Sequence, residues 1–155
     1  DSWYTARCWS LAGGFTGFLF FNRPVARLFM GDAGSIPTGY LLGSLVVAGW
    51  YLEGIPVFIG LILVALFVAD AVTTLLFRAC RRESLTQAHR QHLYQRLALR
   101  WQSHSRVDAV FLLVQLVWLT PLALIATLHP ALGAHLCVVA YLPLLSAMAI
   151  LRPMQ

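Results

Sequence analysis

The sequence predicts an all-α fold: a polytopic membrane helix bundle with about five transmembrane helices and one cytoplasmic amphipathic helix. Three observations predict it. The 155 residues are 59% hydrophobic and 11% charged, where a soluble domain carries about 25% charged residues, so a water-facing surface cannot be built from them. Apolar stretches of about 20 residues, the length that crosses a hydrocarbon core, recur along the chain. The basic residues are 11 Arg and no Lys, and they gather between those stretches.

Five stretches qualify or nearly so. The first covers 3–21 and contains Arg7 and the Gly13-Gly14 pair. The second, 36–52, carries no charge, and the third, 54–77, is interrupted only by Asp70. The fourth and fifth cover 109–128 and 131–151. Residues 53–56 turn the second into the third and His129-Pro130 turns the fourth into the fifth, since Pro starts helices and breaks their interiors. Both pairs are expected to be antiparallel hairpins. Pro121 and Pro143 lie inside spans and predict kinks.

Orientation follows from the Arg count. Arg23 and Arg27 precede the second span, Arg152 ends the chain, and seven Arg lie between the third and fourth spans. Ten of the 11 therefore share one side, which the positive-inside rule makes cytoplasmic. Cys8, Cys80 and Cys137 are far apart, with no CxxC, and imply no disulfide framework or zinc site. Asp1-Ser2-Trp3 has neither an initiator Met nor a basic leader region, so the expectation is a chain that continues upstream. No nucleic-acid partner is expected; a homodimer is left open.

Two constellations carry chemistry. The first is a cytoplasmic loop at 22–35, from Asn22-Arg23-Pro24 to Gly31-Asp32-Ala33-Gly34-Ser35, just before the second span. Glycines let backbone approach a ligand, free N–H groups at a helix start attract anions, and an Asp there can hold Mg²⁺ beside phosphate oxygens. The alternative is that Asp32 and Ser35 only cap the helix.

The second lies within 78–106, read as cytoplasmic helix with a break near 102–105. On a helix His89, His92 and Arg96 share one face and offer donors for a diphosphate, while Leu93, Leu97 and Trp101 form the neighbouring apolar stripe. The alternative is an interfacial helix that only attracts anionic headgroups. His104 reads as a cap or headgroup contact. Asp70, about 10 Å inside the cytoplasmic end of its span, borders a cleft or pairs with an Arg, with Thr73 and Thr74 on its face. Gln115 and His135 read as interhelical hydrogen-bond residues.

The string Phe29-Met30-Gly31-Asp32-Ala33-Gly34-Ser35, preceded by Asn22 and Pro24, resembles the signature loop of the polyprenyl-phosphate N-acetylhexosamine-1-phosphate transferases (glycosyltransferase family 4, relatives of phospho-N-acetylmuramoyl-pentapeptide transferase). His89-Arg90-Gln91-His92-Leu93-Tyr94-Gln95 is similar to the His-Arg-x-His-x-Tyr-Gln form found in a surface-polysaccharide subset, with Tyr94-Gln95 where other relatives place further His. The resemblance covers most of the chain.

It implies an enzyme that transfers a sugar-1-phosphate from a UDP-N-acetylhexosamine to undecaprenyl phosphate and releases UMP. This would be the initiating step of cell-surface glycan synthesis, with O-antigen lipopolysaccharide among the pathways. It further implies Asp32 as Mg²⁺ ligand, with Mn²⁺ the alternative ion, and Asp32, His89 and His92 as catalytic residues. Phe29 is implied to stack on uracil, with Asn22, Gly31 and Arg96 completing the nucleotide and phosphate contacts. The implied place is the bacterial inner membrane, multi-pass, with the active loops cytoplasmic. The family's upstream Asp-Asp pair and Asn-containing loop are absent here, so the expectation is either a fragment of a longer enzyme or a product inactive alone. A transporter subunit is the alternative, favoured by inverted repeats or a helix broken at mid-membrane, neither apparent in the sequence; a non-catalytic scaffold is the other.

Overall fold

The computed structural model describes residues 3–22, 30–82 and 92–151, and of Asp32 the backbone alone. The described residues are helical, with no strand. They fall into two compact units, Asp1–Val57 and Phe58–Gln155.

The first unit is a pair of helices, α1 (Trp3–Phe21) and α2 (Gly31–Glu53). Tyr4, early in α1, meets Gly49, late in α2, so the two run antiparallel; a Cβ on Gly49 would stand 2.7 Å from Tyr4 Oη. The missing side chain is what lets the helices approach this closely. Arg7 stays on α1 by lying over the Trp3 ring, 4.9 Å from its centroid. Asn22 closes α1 in a turn, its N–H donating to the Leu19 carbonyl at 3.1 Å. Gly54, at φ 68°, ends α2 in the left-handed conformation that a Cβ disfavours.

The structure corrects the start of the second span. The helix begins at Gly31, five residues before the expected 36. Pro37 lies inside the helix, where it removes the N–H that would reach the Ala33 carbonyl.

The second unit contains α3 (Val57–Leu63), α4 (Ala65–Cys80), α5 (Leu93–Trp101), α6 (His104–Val114), α7 (Thr120–Leu128) and α8 (Gly133–Leu151). Helices α6 and α7 form one rod through a π-helical turn, Gln115–Leu119. That wider turn precedes Pro121, and Thr120 Oγ1 donates back to the Gln115 carbonyl at 2.8 Å. A short 3₁₀ turn, Pro130–Leu132, folds α8 back against α7, the expected hairpin. The core is built from Ile62, Ala65, Leu66, Ala69, Leu119 and Ala140, drawn from the broken helix, the rod and α8. Outside it, Phe67, Leu116, Val117, Leu124 and Ile150 are exposed, as lipid-facing side chains are.

The chain is that of a membrane protein. Two rods, His104–Leu128 and Pro130–Leu151, are long and apolar enough to cross a bilayer, and α3 with α4 makes a third if that pair is one span. Helices α1 and α2 occupy the first two expected spans and are long enough, but do not meet the same measure of apolarity; Arg7, the glycines and Pro37 dilute them.

The third expected span is not straight. It bends by 71° between α3 and α4, at Val64, although no broken helix is apparent in the sequence. The bend exposes the last carbonyls of α3, and side chains from elsewhere in the unit take them. Gln115 Nε2 donates to the Leu63 carbonyl at 3.2 Å and Tyr141 Oη to the Leu61 carbonyl at 3.1 Å. Gln115 is thus the interhelical hydrogen-bond residue it was expected to be.

Candidate active site

The glycine-acid motif forms the first turn of α2. Met30 is the N-cap, with no side-chain capping bond, and its carbonyl accepts the Gly34 N–H at 3.2 Å. Asp32 is therefore the second helical residue. Gly31 has φ 57°, in the left-handed region where a Cβ is strained. A Cβ on Gly34 would run into the Met30 side chain. The motif's two glycines thus have separate structural reasons, one conformational and one steric.

The second constellation is reshaped. His92 has extended backbone (φ −63°, ψ 145°) and is the N-cap of α5. The continuous helical face expected through His89, His92 and Arg96 therefore does not run back through His92. Arg96 follows one turn into α5, its N–H donating to the His92 carbonyl at 3.2 Å. Arg96 and Arg100 line a cavity of about 430 Å³ with Leu93, Leu97 and Leu151. Two guanidinium groups over an apolar floor suit a phosphate carried on a hydrocarbon chain. The stripe packs inward, Leu93 being buried and Leu97 lying against the core. The break comes where expected: Gln102 is left-handed at φ 52°, and Ser103 Oγ caps α6 by accepting the Arg106 N–H at 3.4 Å. The cap is thus Ser103, and His104 is the first helical residue.

Asp70 acquires a partner that sequence reasoning did not name. Its side chain is 8% exposed, and Oδ2 lies 3.3 Å from His92 Nδ1. Oδ1 accepts the Leu93 N–H at 2.9 Å. Thr74, on the same face as expected, donates to the Asp70 carbonyl at 2.6 Å. The signal available beforehand was an acid inside an apolar span; its position 23 residues before Leu93 gave no hint of the pairing.

Asn22, Gly31 and Asp32 belong to the first unit, and Asp70, His92 and Arg96 to the second. Phe29 and His89 lie outside the described residues, as does the Asp32 side chain. Among the described residues no group of three or more His, Cys, Asp or Glu is placed to hold a metal ion.

Residues 1–50 match the glycosyl transferase family 4 model. The matched stretch holds the whole Phe29 to Ser35 string. Over 72 residues the chain is 39% identical to a phospho-N-acetylmuramoyl-pentapeptide-transferase of Synechococcus elongatus, covering 44% of this chain and 18% of that protein. A protein of the same name from Caulobacter sp. (strain K31) is 33% identical over 94 residues, 58% of this chain and 24% of its own. Another, from Rhodopseudomonas palustris, is 44% identical over 68 residues, 44% of this chain and 18% of its own. The likeness to glycosyl transferase family 4 thus stands on sequence, over part of the chain, and these relatives are transferases. The matched stretches span less than a quarter of the relatives' length, 24% at most among these three. No solved structure matches the chain.

Proposed function

We propose that the chain is part of a glycosyl transferase family 4 enzyme of the bacterial inner membrane. It moves an N-acetylhexosamine-1-phosphate from a UDP-sugar to undecaprenyl phosphate. The observation that carries the reading is the glycine-acid string inside the matched residues 1–50, folded as the first turn of a helix with Gly31 left-handed.

An oxygen of the lipid phosphate attacks the β-phosphorus of the UDP-sugar. The bond from that phosphorus to the bridging oxygen breaks, UMP leaves with the electron pair, and a polyprenyl-diphosphate sugar forms. The first-turn N–H groups of α2 face the diphosphate with the positive end of the helix dipole. Asp32 would hold Mg²⁺, which would supply charge neutralisation at the diphosphate. Phe29 stacks on uracil, with Asn22 beside the same loop. Arg96 and Arg100, with His89 and His92, hold phosphate oxygens. The Arg-rich loop and the site lie on the cytoplasmic side, where nucleotide-sugars are.

The 71° bend at Val64 is the one observation that favours the transporter alternative. There, however, unwound carbonyls serve ions in a cavity. Here the Leu61 and Leu63 carbonyls are taken by Tyr141 and Gln115, which makes the break a packed joint.

The test is an assay of the full-length protein in vesicles with undecaprenyl phosphate and labelled UDP-N-acetylhexosamines. The reading expects UMP release matched by labelled polyprenyl-diphosphate sugar. Failure to bind or turn over any UDP-sugar would leave the scaffold reading in its place.

A further inference from the structure

Asp70 uses both carboxylate oxygens on two adjacent groups at the start of α5. Oδ1 takes the Leu93 N–H at 2.9 Å, and Oδ2 lies 3.3 Å from His92 Nδ1. Leu93 opens the helix, so its N–H is one of the donors with no intrahelical partner. His92 makes no side-chain capping bond itself, and Asp70 supplies the cap from α4. The acid is buried while the imidazole is 32% exposed, so the pair joins a sheltered anchor to an accessible ring. The Tyr94 ring, stacked on His92 at 6.0 Å and 25°, restrains the imidazole plane from a second direction.

A neutral imidazole carries its proton on one nitrogen and a lone pair on the other, and an ionised carboxylate only accepts. With Asp70 against Nδ1, the proton belongs on Nδ1. The lone pair then sits on Nε2, across the ring from the anchor. We propose that Asp70 is a positioning residue that fixes His92 in the Nδ1–H form and so presents Nε2 as a proton acceptor. The group it serves is a phosphate monoester. Nε2 takes the P–O–H proton of the lipid phosphate as that oxygen bonds to the β-phosphorus and UMP leaves, and the carboxylate stabilises the imidazolium. This rests on the function proposed above.

The test is Asp70→Asn in the full-length protein. The Asn oxygen still accepts the Leu93 N–H, so the cap and the fold survive. Its NH₂ then faces Nδ1 and forces the opposite tautomer, the effect known for a carboxylate that orients a catalytic His. The expected result has two parts. In ¹⁵N-histidine NMR, His92 changes from Nδ1–H to Nε2–H. The kcat for UMP release falls on the order of a hundredfold or more, while the KM for the UDP-sugar and the membrane abundance hold. An unchanged His92 spectrum with unchanged kcat overturns the proposal and leaves Asp70 as a helix cap. His92→Gln in parallel separates the two readings. If it is inactive while Asp70→Asn is normal, only this inference fails; if it is fully active, the assignment of His92 to the site fails with it.

Discussion

The side-chain amide of Gln115 donates to the carbonyl of Leu63, 3.2 Å away and 52 residues earlier in sequence. With the Tyr141 hydroxyl on Leu61 at 3.1 Å, it takes two carbonyls that the bend at Val64 leaves without helical donors. In lipid such carbonyls have no water to turn to, so the joint depends on these two side chains. Gln115→Leu and Tyr141→Phe are each expected to lower unfolding free energy by about 0.6 to 1.7 kcal/mol, the usual range for interhelical hydrogen bonds in a membrane. Reversible unfolding in mixed micelles measures it. Wild-type stability in both variants would mean that the bend is held by packing alone.

The orientation predicts a labelling pattern. In sealed cells, a membrane-impermeant thiol reagent should reach a Cys placed at Glu53 or His129. Positions 92–100 should stay protected until the membrane is opened. Cys80 is an internal control: it is exposed, at the end of α4 beside Arg81 and Arg82, and should be protected with the Arg-rich side. Labelling of 92–100 from outside would invert the topology and remove the site from the compartment that holds nucleotide-sugars.

The His and Arg positions separate by role. His89→Ala and His92→Ala in the full-length enzyme are each expected to lower turnover strongly, with insertion intact. Arg96→Ala should lower it less, because Arg100 lines the same cavity. Arg96→Ala combined with Arg100→Ala should raise the KM for the lipid phosphate beyond either alone. Near-normal turnover in the double His variant would show that this loop touches only lipid headgroups.

The parts legible beforehand are those set by local composition. The rod and α8 are long apolar runs, and Pro130 marks the turn between them. Ser103 and the residues around it mark the break between α5 and α6. The illegible parts were set by contacts distant in sequence. Nothing in Leu63-Val64-Ala65 is a helix breaker; the bend is stabilised by Gln115 and Tyr141, which the sequence shows only as two polar residues in apolar spans. The start of α2 was placed at 36 because the uncharged run begins after Asp32, whereas the helix takes in the glycine-acid string and begins at Gly31. His92 was expected on a helical face because its spacing to Arg96 fits one, and Asp70, by taking the Leu93 N–H, marks where the helix begins instead. At Asp32 the string was legible as a motif, and the structure added that its neighbour Met30 holds the capping position.

Asp32 separates a metal-dependent enzyme from a helix with an acid at its start. A purely structural Asp32 acts at the helix start, where its charge on the helix dipole contributes about 0.3 to 1 kcal/mol, and its replacement by Asn should barely change turnover. As a Mg²⁺ ligand it does more. Asp32→Asn removes the charge that holds the ion, and Asp32→Glu displaces it by about one methylene from an ion that demands near-ideal octahedral geometry. The measurement is UMP release by the full-length enzyme and both variants at equal membrane abundance, across a Mg²⁺ titration. The expected result is a loss on the order of a hundredfold or more for Asp32→Asn at low Mg²⁺, with each ~1.4 kcal/mol a factor of ten, and a comparable failure of Asp32→Glu. Asp32→Asn retaining most of its turnover at low Mg²⁺ would contradict it and put the metal site elsewhere.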